Sequence, residues 1–178
     1  TYGETWIPCG VGGHGYTVVD RMRRGKPIVS HGDGQSLWVL THADDFAIGF
    51  VGLFGRQGAI GEAFHITSDE VLTWDAIYRT MGMAAGCEPR LVHVPSDLIA
   101  ACVPTWGPGL LGDKAHSMVF DNSKTKRLVP EYRATIPFAE GIRRSLARCD
   151  ADPARRVVSG ETDRLMDELV RRQEAAAN

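Results

Sequence analysis

Residues 29–55 read VSHGDGQSLWVLTHADDFAIGFVGLFG, and their pattern decides the fold. Residues 27–30 are a short apolar run that predicts a strand. Gly32-Asp33-Gly34 predicts a tight turn, because glycine on both sides of Asp allows positive φ. Residues 37–41 predict a second strand. Residues 43–54 predict a helix, with Asp44 and Asp45 in the first turn, where the helix dipole favours acids. That helix is apolar nearly all round, through Phe46, Ile48, Phe50, Val51 and Leu53, and such a helix is expected to be buried. Gly49 and Gly52, three apart, would let another backbone approach it closely.

Working outward, residues 16–24 predict a helix with Val18, Val19 and Met22 inside and Arg21, Arg23 and Arg24 on a solvated face. Residues 61–67 (GEAFHIT) read as a strand and Ser68-Asp69-Glu70 as a turn. Thr73 is a good N-cap for a helix to about residue 85, with Trp74, Ile77, Tyr78 and Met81 on one core stripe. Residues 90–94 predict a strand, and 97–102 a short helix capped by Ser96. Residues 103–112, rich in proline and glycine, predict a loop, with a short helical piece over 114–118. A helical turn is expected before Leu128. Pro137 opens a helix whose stripe is Phe138, Ile142, Leu146 and Cys149. Residues 151–160 read as a linker and 162–174 as a charged amphipathic helix. Strands alternating with helices argue for α/β architecture. With only four or five short strands, the chain reads as the later part of an α/β protein rather than one with its own central sheet.

The 178 residues carry a formal charge of −2, which points to neither nucleic acid nor an anionic membrane as partner. No apolar run reaches the roughly 20 residues needed to span a bilayer, and no signal peptide is visible. Cys9, Cys87, Cys102 and Cys149 are widely spaced, so the expectation is four reduced thiols in a cytoplasmic protein. The chain starts at Thr1, inside an ordered strand-to-loop pattern, and reads as a fragment or a processed product. Gly10-Val11-Gly12-Gly13-His14-Gly15 spells GxGxxG. With Pro8 in place of a buried strand before it, the run predicts a loop beside a pocket rather than a dinucleotide fingerprint. The pairs His31/Asp33 and His42/Asp44 have the spacing of a shared ligand set on a strand. Asp33 belongs to the turn and Asp44 to a helix start, however, so no metal site is expected.

Four phrases, in order and in register, resemble one family. Thr1-Tyr2-Gly3 is similar to its Tyr-Gly-Pro phrase. GKPIVSHGDGQSLWVLTHADDFAIGFV (25–51) is similar to its Gly-Asp-Gly hairpin and following helix. GEAFHITSDEVLTWDAIYRTM (61–81) and FDNSKTKRLVPEYRATIPFAEGIRRSLAR (120–148) are similar to the phrases after it. The chain thus resembles the C-terminal half of the extended short-chain dehydrogenase/reductases, the NAD-dependent epimerase/dehydratase family, over residues 1–150. Residues 151–178 follow as linker and C-terminal amphipathic helix. The fold implied is the C-terminal part of a Rossmann-type protein, with its last sheet strands and a small mixed α/β substrate domain.

The family's Tyr-x-x-x-Lys pair is absent here. Tyr2, Tyr16, Tyr78 and Tyr132 are followed four residues later by Trp6, Asp20, Gly82 and Ile136. The resemblance therefore implies a substrate-binding portion with no catalytic residues of its own. It implies NAD or NADP for the complete protein, none bound tightly by this chain alone, and an N-terminal Rossmann half as partner. A non-catalytic binding or assembly module derived from the family, or a homo-oligomer, is the alternative. Trp38 stands where nucleotide-sugar members carry an arginine that pairs with the diphosphate, and an indole cannot make that contact. A small, less charged substrate is expected instead. Substrate contacts are assigned to Tyr2, Trp6, His14, Trp38, His42 and Trp106, with Thr1 and Tyr2 on the cofactor side.

Overall fold

The computed structural model describes residues 1–13 and 15–176. Helix α1 (Gly15–Arg23) leads into strand β1 (Ile28–His31), the 32–34 turn and strand β2 (Leu37–Val39). Helix α2 (Ala43–Gly52) follows, then β3 (Val71–Thr73), α3 (Trp74–Ala85), β4 (Leu91–Val94) and α4 (Ser96–Cys102). A single turn, α5 (Gly107–Gly109), precedes α6 (Ser123–Leu128), α7 (Phe138–Ala151) and α8 (Gly160–Ala176). The strands form two small sheets. β1 pairs with β4 in parallel, Ile28 opposite Leu91, and β2 pairs with β3 antiparallel, Leu37 opposite Thr73.

Local signals place most of these elements. Thr73 caps α3, its Oγ1 accepting the Ala76 N–H at 3.1 Å, and Gly86 ends it in the left-handed region at φ 79°. Trp74, Ile77, Tyr78 and Met81 are 0–1% exposed and face the stripe of α7, whose Phe138, Ile142 and Leu146 are equally buried. α8 packs into the same core through Met166, Leu169 and Val170. Among the described residues no helix is long and apolar enough to cross a membrane.

Several expectations are corrected. Residues 61–67 form no strand, because a strand needs a ladder partner and none lies alongside among the described residues. The expected loop at 103–112 is wound into a 3₁₀ turn (Pro104–Trp106), α5 and a π turn (Leu110–Lys114), and the helical piece expected over 114–118 sits earlier for that reason. Ser96 begins α4 without a side-chain cap bond, since Pro95 occupies the cap position.

α2 is not buried: Ile48, Phe50, Val51 and Phe54 are 45–64% exposed. It touches the body through a narrow line of glycines, Gly49 against Ile66 and Tyr132 and Gly52 against Val129. Arg21, expected in solvent, has a side chain that is 0% exposed. It donates to the Pro27 carbonyl at 2.7 Å and pairs with Asp163 and Asp167 of α8. The acids that draw it inward lie more than 140 residues away, out of reach of any local pattern.

Candidate functional site

A groove of about 440 Å³ opens where the N-terminal segment meets the start of α2. Its walls are residues 1–6 and His42, Ala43 and Asp44. The two strips are joined as a parallel bridge. The Tyr2 N–H donates to the Thr41 carbonyl at 3.0 Å, and the Ala43 N–H donates to the Tyr2 carbonyl at 2.7 Å.

Tyr2 is 2% exposed. Its ring meets His42 edge-on and Phe138 at a tilt, both at 5.4 Å between centroids. Its hydroxyl is buried without a hydrogen-bond partner against Gly141 of α7. Burial pushes the phenol well above its ordinary pKa. A ligand in the groove would therefore meet the Tyr2 backbone and not its ring. His42 caps α2, Nδ1 accepting the Asp44 N–H at 3.2 Å. That bond assigns the proton of the neutral ring to Nε2, which is buried and unpartnered. Trp6 is 46% exposed. It lines both this groove and a second cavity of about 180 Å³, whose far wall is Gly13, Gly15, Tyr16, Cys149 and Arg155. Glu4 and Asp44 at the rim face Arg148 and Arg144 of α7 at 3.9 and 4.0 Å.

Thr1, Tyr2, Trp6 and His42 are thus brought together, while Trp38 and Trp106 lie elsewhere. Trp38, half-buried on β2, lies 5.4 Å from Trp74 between ring centroids, and the Lys114 ammonium is 5.9 Å from its centroid. Trp106 is half-buried near Gly12. His14 lies outside the described residues.

The glycine run 10–15 does not fit a dinucleotide. No strand precedes it. The Gly15 Cα faces Ile7, and the Gly12 Cα faces Thr162 of α8. Cys9 beside it is buried, which pushes its thiol up to about 11, away from nucleophilic use at neutral pH. Among the described residues, no three His, Cys, Asp or Glu side chains gather to hold a metal ion.

A second polar cavity, about 270 Å³, lies at the 32–34 turn between His31, Asp33, Ser36, Ser96 and Ser117. His31 is 2% exposed and donates from Nε2 to the Lys114 carbonyl at 2.9 Å. Burial holds its pKa below the ordinary histidine range. The turn is anchored by Asp75, which accepts from Ser30 Oγ at 2.8 Å and His93 Nε2 at 2.9 Å. Its N–H donates to the Gly34 carbonyl at 3.0 Å. Neither Asp75 nor His93 stands out in the sequence. Asp75 reads as an ordinary first-turn acid, and His93 as an alternating strand residue. The signal that joins them is the β1–β4 pairing, which sets Ser30 opposite His93.

No family model matches the chain. Solved structures do. UDP-glucuronic acid 4-epimerase from Bacillus cereus, in complex with UDP-glucuronic acid and NAD, is 21% identical with a TM-score of 0.58, covering 76% of this chain and 38% of that one. UDP-glucose 4-epimerase from Thermotoga maritima is 19% identical, TM-score 0.59, covering 84% and 44%. Among curated proteins, 2'-dehydrokanamycin reductase of Streptomyces kanamyceticus is 30% identical over 109 residues, 61% of this chain and 31% of the relative. Chloroplast stem-loop binding protein of 41 kDa b of Arabidopsis thaliana is 31% identical over 74 residues, 41% and 20%. The chain thus spans less than half the length of these structures and no more than about a third of these curated relatives.

Proposed function

We propose that this chain, which has the fold of the C-terminal part of the Rossmann-type NAD-dependent epimerases and dehydratases, is the substrate-binding portion of an NAD(P)-dependent oxidoreductase or epimerase. The observation that carries the reading is the lopsided coverage: most of this chain lies on less than half of each of the two epimerase structures, one of them in complex with NAD. The dinucleotide, which the glycine run here does not fit, would be held by an N-terminal Rossmann half. Thr1 and Tyr2 are assigned to the cofactor side of the groove, and Trp6 and His42 to the substrate side. An exposed indole over a cavity of about 440 Å³ suits a ring with one apolar face.

The substrate in this reading is a small hydroxylated ring without a nucleotide diphosphate. Trp38 takes the place of the diphosphate-binding arginine and lies against Trp74. One curated relative is named as a reductase of a dehydrokanamycin, which is in keeping with such a ring. The test is ligand binding by the longest reading frame that contains these residues. Expected are saturable binding of NAD(H) or NADP(H), followed by fluorescence, and no competition by UDP for the substrate groove. A protein that binds no dinucleotide refutes the cofactor assignment, and competition by UDP refutes the substrate assignment.

A non-catalytic binding module is the second reading. It is favoured by the match to a protein named for stem-loop binding, although a formal charge of −2 gives no electrostatic footprint for a phosphate backbone. Binding of a labelled RNA stem-loop by that same protein, with no dinucleotide bound, would select it.

A further inference from the structure

Most exposed arginines of this chain are paired with carboxylates: Arg23 with Asp150, Arg24 with Asp20, Arg56 with Glu131, Arg144 with Glu140 and Arg172 with Glu168. Arg127 and Arg133 are not. The Arg127 side chain makes no hydrogen bond or ion pair among the described residues. Arg133 makes no ion pair among them and donates only to backbone carbonyls. Both line one groove of about 400 Å³, together with Ser123, Lys126 and Pro130. No acid is among these lining residues, and none of them lines the groove at Tyr2 and His42. Unpaired guanidinium groups on one groove repel each other, and an anion between them turns that repulsion into attraction.

Local structure holds these cations in place. Ser123, Lys126 and Arg127 stand at i, i+3 and i+4 of α6 and share one face. Pro130 and Arg133 follow in a turn, where the Tyr132 N–H donates to the Val129 carbonyl at 2.9 Å. Arg133 donates from Nη1 to the Pro130 carbonyl at 3.0 Å and to the Tyr132 carbonyl at 2.9 Å. Those bonds fix the guanidinium. Among the described residues its Nε and Nη2 edge makes no hydrogen bond, and that edge is the fork that grips an oxyanion at two oxygens. Lys126 is fixed as well, with Nζ at 2.6 and 2.7 Å from the two oxygens of Asp69. Asn122 Nδ2 donates to the same carboxylate at 2.9 Å.

The charge balance selects the ligand. Lys126 and Asn122 hold the Asp69 carboxyl below its ordinary pKa, so it stays ionised and cancels one of the groove's three positive charges, leaving two. A carboxylate carries a single negative charge, whereas a phosphate monoester carries about 1.5 to 2 near pH 7. The groove also has room for more than a phosphoryl group. Asp121, within electrostatic reach of Arg127, and the exposed Glu131 stand beside it. A nucleic-acid backbone continuing past the groove would meet these carboxylates, and a small monoester would not. We infer that the groove between α6 and the 130–133 turn binds the phosphate of a small phosphomonoester, with the Arg133 Nε–Nη2 edge and the Arg127 guanidinium on the phosphoryl oxygens and the Lys126 ammonium as the third cation. The inference stands on these residues alone and does not depend on the oxidoreductase reading.

The experiment titrates the isotope-labelled 178-residue chain with phenyl phosphate at constant ionic strength and follows the backbone amides by NMR. Saturable shifts are expected at Lys126, Arg127, Glu131 and Arg133, and none at Tyr2, Trp6 or His42. The Arg127 side chain has no partner within the described chain, so R127Q leaves the fold intact. It should weaken binding by about threefold or more, and R127Q/R133Q by about tenfold or more. R133K keeps the charge but loses the fork, and should also weaken binding by about threefold or more. Shifts that chloride reproduces at the same ionic strength, or variants that bind as well as the parent, overturn the proposal. Inorganic phosphate separates the bare anion from its ester: weaker binding than phenyl phosphate supports the monoester, and equal or tighter binding overturns it. A single-stranded oligonucleotide bound more tightly through the same residues assigns the groove to a polyanion and overturns it as well.

Discussion

Gly141→Ala tests the floor of the groove. Gly141 is buried within α7, and a Cβ there would overlap the Tyr2 hydroxyl, 2.7 Å from Tyr2 Cζ and 2.9 Å from His42 Cδ2. Real Cβ atoms do not sit below 3.0 Å, so something must move. Tyr2 has little freedom: it is 2% exposed, and its backbone is fixed to Thr41 and Ala43. In a helix interior alanine gains about 1 kcal/mol over glycine. Overpacking a filled site costs about 1–3 kcal/mol, and overlap with two rings at once puts this case near the upper end. The net expectation is a loss of about 1–2 kcal/mol, or a fall in Tm of about 2–8 °C for a chain of this size. Tyr2→Phe removes a buried hydroxyl that has no partner, so alone it should be neutral or stabilising by up to about 1 kcal/mol. It also relieves the closest overlap, so the double variant should recover at least about 0.5 kcal/mol relative to the sum of the single variants. Urea denaturation of the four proteins measures all three quantities. A neutral or stabilising Gly141→Ala, or a Tyr2→Phe that loses more than about 1 kcal/mol, would refute the packing described for this site.

Three further outcomes are expected. Gly34→Ala places a side chain at φ 72° and within 2.5 Å of Asp75 Cγ; backbone strain and displacement of that carboxylate should together cost about 2–4 kcal/mol in a melt. Arg21→Ala leaves a cavity and removes the buried partner of Asp163 and Asp167, for a loss of about 3 kcal/mol by denaturant titration. His31 has a folded pKa below its unfolded value, so the unfolded chain binds more protons. Its contribution to stability is complete above the ordinary histidine pKa and declines as pH falls through it, by no more than about 1.4 kcal/mol per pH unit. Melting between pH 7.5 and 5 should show that decline, and His31→Gln should flatten it.

Much of the fold was legible because its signals are local. The Thr73 cap, the Trp74–Met81 stripe, the glycine-flanked turn and the Pro137 helix each depend on residues within a few positions of one another. Arg21 and α2 failed for the opposite reason. Arg21 looked like one of three solvated arginines until the acids of α8 arrived, and α2 looked buried because apolar composition does not name the surface that would cover it. Residues 61–67 carry a strand's sequence but lack a strand's partner. Of the groove's residues, Tyr2 was named through the resemblance, Trp6 as an aromatic beside a loop and His42 as a candidate polar contact. That they share one groove depends on a backbone bridge between positions 2 and 42, and no spacing announces it. Asp75 and His93 stayed hidden because sheet register alone joins them.

The clasp of α8 on α1 bears on how the chain is made. Ser159 donates to Thr17 Oγ1 at 2.9 Å, and Arg21 reaches Asp163 across 142 positions. At about 5–20 residues per second, a ribosome needs roughly 7–28 s to add those 142 residues. Through that interval Arg21 has no Asp163 to meet. Arrest before Asp163 would leave a buried cation without its carboxylate partners. Chains that end before Asp163 should therefore lose that buried ion pair and be less stable.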